Sequence, residues 1–299
     1  DTEKFTTENA IQTTVTAADG SFSFEKVPYG TWVIREIESL TGFVLSEEEI
    51  TVTIGAVDEV VEIELVNYFI KRNIELTKVD KDYPDNKLTG AEFEVYADTN
   101  GDGKLDSGDK LLGTMTELDG GVYQMKELRY GKYLVREKTA PTGFVLDENV
   151  YSVFIEENGK TYIVENEAGV GFVNAAQKGS LKIVKTSSDG KIEGFSFRVT
   201  GADGYDQTFK TDKNGEIYIE GLRIGEYTVS EVNDSVSAGY ILPADKQATV
   251  KVGATTIVEM HNELRDTPKT GDDFNLALWV SLAVASVLGA GVLGFVGFK

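Results

Sequence analysis

The sequence predicts an all-β chain of tandem, antiparallel β-sandwich domains that ends in one membrane-spanning helix. Three observations lead to this fold class. A segment rich in glycine and aromatic residues recurs three times along the 299 residues. Between the repeated glycines, apolar and polar side chains alternate with the two-residue period of a strand, and turn residues interrupt them at short intervals. A 23-residue run just before the C-terminal residue is apolar and carries no charge.

The repeat consists of two glycines ten residues apart and a glutamate six residues after the second glycine. These glutamates are Glu36, Glu137 and Glu231. A second short box follows each glutamate, reading Thr-Gly-Phe-Val-Leu in the first two copies and Ala-Gly-Tyr-Ile-Leu in the third. Because each internal copy is one structural unit, the chain is expected to contain three sandwich domains.

The predicted domains cover residues 1–70, 71–177 and 178–265, and a C-terminal signal covers 266–299. A constant offset of 195 residues aligns the first domain with the third, and Asp1 then falls on Ser196. The opening strand of the first domain is therefore expected to lie before Asp1. The linkers are short, which favours a rod over a flexible string of domains.

Composition argues against several classes of function. A net charge of −21 disfavours nucleic acid as a partner, because neutralising phosphates requires an excess of Lys and Arg. Without cysteine the chain has neither a disulfide nor a thiolate nucleophile. Because the chain has a single histidine, His261, a His-based catalytic triad or a His-rich metal site is disfavoured. An exported chain without disulfides needs another means of resisting unfolding.

Each complete domain directs one lysine, one glutamate and one asparagine toward its core. Residues two apart on a strand share a face, so Lys78 is in phase with Ile74 and Leu76. Lysine and glutamate are rarely buried unless they are paired. The sets are Lys78, Glu137 and Asn174 in the second domain, Lys185, Glu231 and Asn262 in the third, and Glu36 with Asn67 in the first, where the lysine is missing.

Two structural explanations of these sets are open: a buried ion pair with the asparagine satisfying the remaining hydrogen bonds, or a lysine that reaches water at the rim. The chemical interpretation is sharper. Burial lowers the pKa of lysine and raises that of glutamate, and a neutral amine is a nucleophile. A protonated glutamate can hydrogen-bond the asparagine carbonyl oxygen and make its carbon electrophilic. Attack of Nζ on Cγ then expels ammonia and leaves an amide between the two side chains.

Together with the segments Leu76 to Asp80 and Leu88 to Phe93, these sets resemble the collagen-adhesin B-type (SpaA-like) domains of Gram-positive adhesins and pilins. The resemblance covers essentially all of residues 1–265. It implies a prealbumin-like, Ig-like sandwich and a glutamate-assisted Lys–Asn isopeptide bond. The third domain departs from the pattern at Gly194 to Phe197 and in a longer loop after Glu231.

An acidic loop in the second domain has the oxygen spacing of a calcium loop. Oxygen-bearing side chains stand at positions 1, 3, 5, 9 and 12 of a twelve-residue loop, with a glycine sixth. The candidate ligands are Asp98, Asn100, Asp102, the backbone carbonyl of Lys104, Asp106 and Asp109. A solvated acidic turn is the alternative. No cofactor is required, and Ca²⁺ is the one candidate.

The C-terminal segment carries an apolar span and, before it, a short extended peptide. Leu276 to Phe298 is 23 residues without a charge, long enough to cross a bilayer as a helix, and Lys299 follows it. A buried core helix is the weaker alternative. The peptide is Thr267-Pro268-Lys269-Thr270-Gly271, and its proline favours an extended backbone that fits an enzyme's cleft.

Pentad, apolar span and terminal cation together resemble the LPxTG-type cell-wall sorting signal of Gram-positive surface proteins. Thr267 stands where that family usually has leucine. The resemblance implies that a sortase cuts between Thr270 and Gly271 and joins Thr270 to peptidoglycan or to another pilin subunit. The helix would then be a transient membrane anchor.

The sequence thus predicts a secreted, cell-wall-anchored stalk of an adhesin or pilin on a Gram-positive bacterium. It is not expected to be a turnover enzyme, because each bond-forming centre consumes itself. Sortase and peptidoglycan or other pilin subunits are the expected partners. In the alternative interpretation, the repeats themselves bind a host extracellular protein or glycan. An enzyme is the third and most distant possibility.

Overall fold

The computed structural model describes residues 9–57 and 59–266. The chain divides into two compact units, residues 1–177 and 178–299. Over the described residues the regular elements are β-strands, apart from a short 3-10 helix at Ala202–Gly204. The predicted all-β fold class is therefore confirmed. No helix in the described ranges is long and apolar enough to span a bilayer, and the predicted span Leu276 to Phe298 lies outside them.

In its described residues, the first predicted domain has two strands, β1 (Gly30–Arg35) and β2 (Glu49–Ile54), which pair antiparallel with Trp32 opposite Val52. The segment that follows contains Ile70, whose backbone forms hydrogen bonds with both predicted domains of the first unit. Ile70 N–H donates to Gly42 O at 2.9 Å, and Tyr130 N–H donates to Ile70 O at 2.9 Å. The first predicted domain is thus tied by its backbone to the second.

The second domain is a sandwich of two sheets. Its strands are β3 (Lys71–Asp80), β4 (Glu92–Ala97), β5 (Lys110–Thr114), β6 (Thr116–Glu117), β7 (Val122–Arg129), β8 (Gly131–Thr139), β9 (Val150–Ile155), β10 (Tyr162–Ile163) and β11 (Phe172–Asn174). One sheet has the order β10-β3-β7-β6, with β11 also paired to β3, and the other has the order β5-β4-β8-β9. The core lies between the sheets, where Phe172 packs edge-on against Phe93 and Tyr151.

The third domain repeats this plan. Its strands are β12 (Lys178–Ser187), β13 (Ser196–Gly201), β14 (Asp206–Lys210), β15 (Glu216–Arg223), β16 (Gly225–Glu231), β17 (Tyr240–Ile241), β18 (Lys246–Val250) and β19 (Thr255–Leu264). The sheets have the orders β15-β12-β19-β17 and β14-β13-β16-β18. Side chains from both sheets, such as Phe195, Phe197 and Met260, are fully buried between them.

The expected antiparallel arrangement holds for most neighbouring strands but not between the first and last strands of a domain. In the third domain β12 and β19 run parallel over eight residue pairs, and in the second β3 runs parallel to β10 and to β11. Two strands joined by a hairpin must run in opposite directions. Here the chain between the first and last strands crosses from one sheet to the other, so the last strand can run in the same direction as the first. This pairing places the lysine and asparagine strands side by side.

The repeated glycine and aromatic residue fix the start of the strand that carries each glutamate. The second glycine of the repeat has φ of 142° at Gly30, 149° at Gly131 and 144° at Gly225, a region that side-chain-bearing residues rarely adopt. The aromatic residue two positions later donates to the carbonyl oxygen four residues before itself. The three bonds are Trp32 Nε1 to Pro28 O, Tyr133 OH to Arg129 O and Tyr227 OH to Arg223 O, at 2.9, 2.6 and 2.9 Å.

Candidate crosslinking sites

The second domain brings its lysine, glutamate and asparagine together inside the sandwich. Lys78 lies on β3 and Asn174 on the adjacent β11, while Glu137 comes from β8 in the facing sheet. Their exposed fractions are 0%, 2% and 3% for Lys78, Asn174 and Glu137. The explanation in which this lysine reaches water at the rim is therefore wrong for Lys78.

Glu137 lies between the amine and the amide. Its Oε1 is 3.5 Å from Lys78 Nζ, and its Oε1 and Oε2 accept hydrogen bonds from Asn174 Nδ2 at 2.9 and 2.8 Å. Lys78 Nζ also donates to Phe172 O at 3.1 Å. Asn174 Oδ1 is buried without a hydrogen-bond partner. One carboxylate thus contacts both groups that an amide-forming reaction would join.

Burial lowers the pKa of Lys78 to about 8, although the nearby Glu137 carboxylate opposes the shift. The surroundings are apolar, since the amine lies 4.9 Å from the centre of the Phe172 ring. An ordinary lysine is almost fully charged at pH 8, because its pKa is about 10.4. Lys78 therefore has a far larger neutral, nucleophilic fraction near this pH than an exposed lysine has.

The orientation of the Asn174 amide differs from the sequence expectation. The expected contact joined a protonated glutamate to the asparagine oxygen, but here Glu137 accepts from the asparagine nitrogen. Such acceptance suits a charged carboxylate, whereas a protonated one can donate to Oδ1 after the amide makes a half-turn. The half-turn would also give Oδ1 the partner that it lacks. Amide orientation and the position of one proton are thus linked.

The third domain contains the same three groups with a different hydrogen-bond pattern. Lys185 and Asn262 are 1% and 0% exposed, and Asn262 Nδ2 donates to Glu231 Oε1 at 2.6 Å. Lys185 Nζ donates to Thr186 O and lies 4.3 Å from the centre of the Phe195 ring. Burial lowers the pKa of Lys185 and raises that of Glu231. Both shifts favour the neutral forms of amine and acid.

A backbone contact that sequence reasoning missed holds the glutamate in two of the three domains. Asp147 N–H donates to Glu137 Oε2, and Ser46 N–H donates to Glu36 Oε2, both at 2.8 Å. Each donor lies ten residues after its glutamate and directly follows the Thr-Gly-Phe-Val-Leu box. In the third copy the box begins seven residues after Glu231 instead of five, and Glu231 Oε2 is buried without a partner. The constant spacing between glutamate and box in the first two copies is the sequence feature that could have predicted this contact.

A polar cleft lies over Asn174 in the second domain. Its volume is about 340 Å³, and its lining includes Lys81, Asp147, Asn166 and Asn174 itself. The Asp147 carboxylate accepts from Tyr151 OH at 2.7 Å and from Asn166 Nδ2 at 2.8 Å. Burial and the contact with Asp147 together raise the pKa of Tyr151 to about 12, so the phenol stays a donor. The cleft thus borders the residue that carries the buried amide.

The first domain contains the glutamate and asparagine in the same mutual arrangement. Asn67 Nδ2 donates to Glu36 Oε1 and Oε2 at 2.7 and 2.8 Å, and both residues are half-buried. Among the described residues, the hydrogen-bond partners of Glu36 are this amide and Ser46 N–H. Neither partner is a cation, so the glutamate and the asparagine of the three-residue set meet here without a lysine among the described residues.

The acidic loop connects β4 to β5, but its carboxylates do not converge on one point. Asp98 accepts from the N–H groups of Gly101 and Gly103 at 2.7 and 3.0 Å, and Asp109 accepts from those of Thr99 and Asp106 at 3.1 and 2.9 Å. Asp102 accepts from Lys104 N–H, and Asp106 accepts from Asn100 Nδ2. In the part of the chain that the structure describes, no three His, Cys, Asp or Glu side chains are grouped to hold a metal. Calcium binding here requires these carboxylates to turn inward.

Calcium binding at this loop stays a prediction with a direct test. Adding Ca²⁺ should protect residues 98–109 from proteolysis, because ligation would fix six loop positions around one ion. Mg²⁺ should protect less, since it demands tighter octahedral geometry. The double substitution Asp98→Ala with Asp102→Ala should remove the calorimetric heat of calcium binding. Equal heats from the parent and the double variant would rule the site out.

Comparison with known proteins agrees with this architecture. A family model described as "SpaA: Prealbumin-like fold domain" matches residues 1–68, 72–168 and 179–264. No curated protein matches the chain. The Bacillus anthracis TIE protein is similar in structure, with 25% identity and a TM-score of 0.64 over 87% of this chain. That match spans 46% of the TIE protein, so the chain corresponds to about half of that relative's length.

Two pilins are similar with lower scores. The shaft pilin SpaA of Lactobacillus rhamnosus GG is 15% identical, with a TM-score of 0.31 over 65% of this chain and 98% of its own. GBS52, the minor pilin of Streptococcus agalactiae, is 16% identical, with a TM-score of 0.31 over 67% of this chain and 99% of its own. Because the family model covers most of the residues in three successive matches, this chain belongs to the SpaA family of prealbumin-like domains.

Proposed function

We propose that the chain is the structural stalk of a surface adhesin or pilin, and that its two complete domains are stiffened by Lys–Asn amides that they form themselves. The observation that carries the proposal is the buried set in the second domain, where Glu137 contacts both Lys78 Nζ and Asn174 Nδ2. The third domain supports it, because the same three residue types are brought together there.

In the second domain, neutral Lys78 Nζ attacks Asn174 Cγ. Glu137 takes the proton that the attacking nitrogen loses and delivers it to Asn174 Nδ2, which it already contacts. The new C–N bond forms, the Cγ–Nδ2 bond breaks, and ammonia leaves with the proton. Because the fold holds both reactants, their effective concentration is far above that of free side chains. The cleft over Asn174 provides an exit for the ammonia.

In the third domain, the reaction has the same atom balance but a different starting arrangement. Glu231 is half-buried, burial raises its pKa, and its Oε2 atom is enclosed without a hydrogen-bond partner. A protonated Glu231 would donate to Asn262 Oδ1 after a half-turn of the amide, which satisfies another unpartnered atom. That hydrogen bond withdraws electron density from Cγ and stabilises the oxyanion during attack by Lys185 Nζ.

A covalent amide explains the burial of these groups better than an ion pair does. A buried Lys–Glu pair must offset the large cost of removing two charges from water, so it contributes little net stability. The amide is neutral and holds the first and last strands of each domain together permanently. Each site reacts once, so Glu137 and Glu231 assist bond formation without turnover.

Anchoring at the surface of a Gram-positive bacterium completes the proposal. The segment from Thr267 onward lies outside the described residues, and its sequence supports cleavage by a sortase between Thr270 and Gly271. The product would be joined through Thr270 to peptidoglycan or to another pilin subunit. The apolar span would hold the precursor in the membrane until that step.

Wall material from a Gram-positive host that expresses the full chain and a sortase tests both parts. Released protein should end at Thr270, joined to wall peptide or another subunit, and its digest should contain a branched peptide that links Lys78 to Asn174. Pro268→Ala should block attachment of the chain to the wall, because alanine does not hold the residue before it in an extended conformation as proline does. The matched variant Thr267→Leu should be processed at least as well as the parent.

The two parts can fail separately. Recovery of Leu276 to Phe298 in mature wall material would contradict the anchoring. Separate, linear peptides containing Lys78 and Asn174 would contradict the self-made amide.

A further inference from the structure

The last strand of the second domain is interrupted, whereas that of the third domain is continuous. β19 pairs with β12 over eight residue pairs, the last of which includes Asn262. In the second domain β10 pairs with β3 over two residues and β11 pairs with it over three, and residues 164–171 between them form no strand. The asparagine of the second domain is therefore carried by a strand that has few ladder bonds of its own to hold it.

One side chain takes the place of the missing ladder bonds. Asn166 Nδ2 donates to Val173 O at 2.9 Å, and Asn166 Oδ1 accepts from Val173 N–H at 2.6 Å. Both backbone groups of the residue directly before Asn174 are thus bonded to one amide. Val173 is buried and Asn166 is half-buried, so the loss of these bonds would leave backbone groups with little access to water.

The Asn166 amide is also bonded to the segment that holds the glutamate. Asn166 Nδ2 donates to Asp147 Oδ2 at 2.8 Å, and Asp147 N–H donates to Glu137 Oε2 at 2.8 Å. Burial acts to raise the pKa of Asp147, but hydrogen bonds, those from Asn166 and Tyr151 foremost, outweigh it and lower that pKa. The Asp147 carboxylate therefore stays charged and remains an acceptor for Asn166. The strand that carries Asn174 is thus connected to Glu137 through two side chains and one backbone N–H.

We propose that Asn166 is a positioning residue for amide formation in the second domain. It holds the strand of Asn174 at a fixed position relative to Glu137, and it acts through its hydrogen bonds rather than by contact with the reacting atoms. This inference rests on the proposed function, because it concerns the same amide. In the third domain the continuous β19 holds the asparagine, so that domain serves as an internal reference.

The rate of amide formation in newly made chains tests this role. The full chain is synthesised in a cell-free system with detergent, synthesis is stopped, and samples are denatured and digested at intervals. The branched peptide that links Lys78 to Asn174 is compared with the one that links Lys185 to Asn262 in the same molecules. Asn166→Ala should slow the first link by up to about 100-fold, the cost of displacing a reacting atom by about 1 Å, and should leave the second unchanged.

An exchange of the two bonded side chains provides a rescue. Asn166→Asp alone should slow the link at least as much as Asn166→Ala, because two carboxylates would then face each other. Adding Asp147→Asn restores a donor opposite an acceptor with the roles reversed, and the backbone N–H at position 147 still bonds Glu137. The double variant should therefore recover most of the rate.

Chains that carry Lys78→Ala cannot form this amide, and they show whether Asn166 merely stabilises the fold. In that background Asn166→Ala should leave the second domain folded at the assay temperature, with unchanged resistance to trypsin. Unfolding there, an unchanged ratio of the two links in Asn166→Ala, or no recovery in the double variant would each overturn the inference.

The parent chain separates this inference from the function on which it rests. If the parent forms the link between Lys78 and Asn174 and Asn166→Ala forms it equally fast, only the positioning role is wrong. If the parent never forms the link, the proposed chemistry fails in this domain, and the positioning role fails with it.

Discussion

Lys78→Ala should turn a second domain that does not lengthen under load into one that unfolds at a force well below that of covalent rupture. Tension enters this domain through β3 and leaves through β11. With an amide between Lys78 and Asn174, the load passes through the new bond, and residues 79–173 cannot extend. Without the amide, only hydrogen bonds and side-chain packing resist the applied force.

The third domain should behave differently when its lysine is removed. β12 and β19 remain paired in parallel over eight residues, so pulling at opposite ends must shear these hydrogen bonds together. In the second domain the corresponding pairing between β3 and β11 covers three residues. Lys185→Ala should therefore unfold at a higher force than Lys78→Ala.

Single-molecule pulling on the full chain measures both effects. The parent should show no step from either complete domain, each single variant should show one, and the double variant should show two at different forces. Lys182→Ala is the matched control, because Lys182 lies on β12 but faces outward and pairs with Glu216. Identical extension of parent and double variant would mean that the amides carry no load.

Lys185→Ala should also lower the thermal stability of the third domain by a large amount. On the chain-entropy model, by analogy with a disulfide, closing so long a loop contributes about 4–5 kcal/mol. For a domain of this size that corresponds to a fall in Tm of roughly 16–40 °C. Trypsin should cut the variant faster, because the unfolded state becomes more accessible.

The asparagine at the other end of the proposed bond provides the control for this prediction. Asn262→Ala leaves the lysine in place but removes the reacting carbon, so it should lower Tm by a similar amount. Lys182→Ala should cost less than about 1 kcal/mol, as surface ion pairs usually do. A reductant should change nothing, since an amide is not reducible. If Lys185→Ala and Lys182→Ala melt at the same temperature, the link is absent from this domain.

Strand periodicity in the sequence was enough to predict which side chains face the core. Lys78 and Lys185 were placed inward because they follow apolar residues at two-residue spacing, and both are buried. The parallel pairing of β12 with β19 was not predicted, because local alternation specifies a face and not a partner strand. That partner depends on how the chain crosses between sheets.

Other features of the sites depend on atoms that a side-chain pattern does not describe. The N–H groups of Ser46 and Asp147 belong to the backbone, so their bonds to Glu36 and Glu137 follow from loop length. The Asn174 amide is oriented by its contact with both Glu137 oxygens, a detail that residue spacing does not describe. In the acidic loop, oxygen spacing predicted ligands, yet the Asp98 carboxylate bonds nearby backbone N–H groups.

The intact mass of the full chain tests the central claim most directly. Each amide expels one ammonia, so the chain should weigh about 34 Da less than its sequence mass if both complete domains have reacted. Glu137→Gln should restore about half of that deficit, because it removes the group that moves the proton in the second domain. Glu94→Gln, which alters another mostly buried carboxylate paired with Arg136, should leave the deficit unchanged. A full sequence mass for the unmutated chain would contradict the account and leave Lys78 and Glu137 as a buried ion pair.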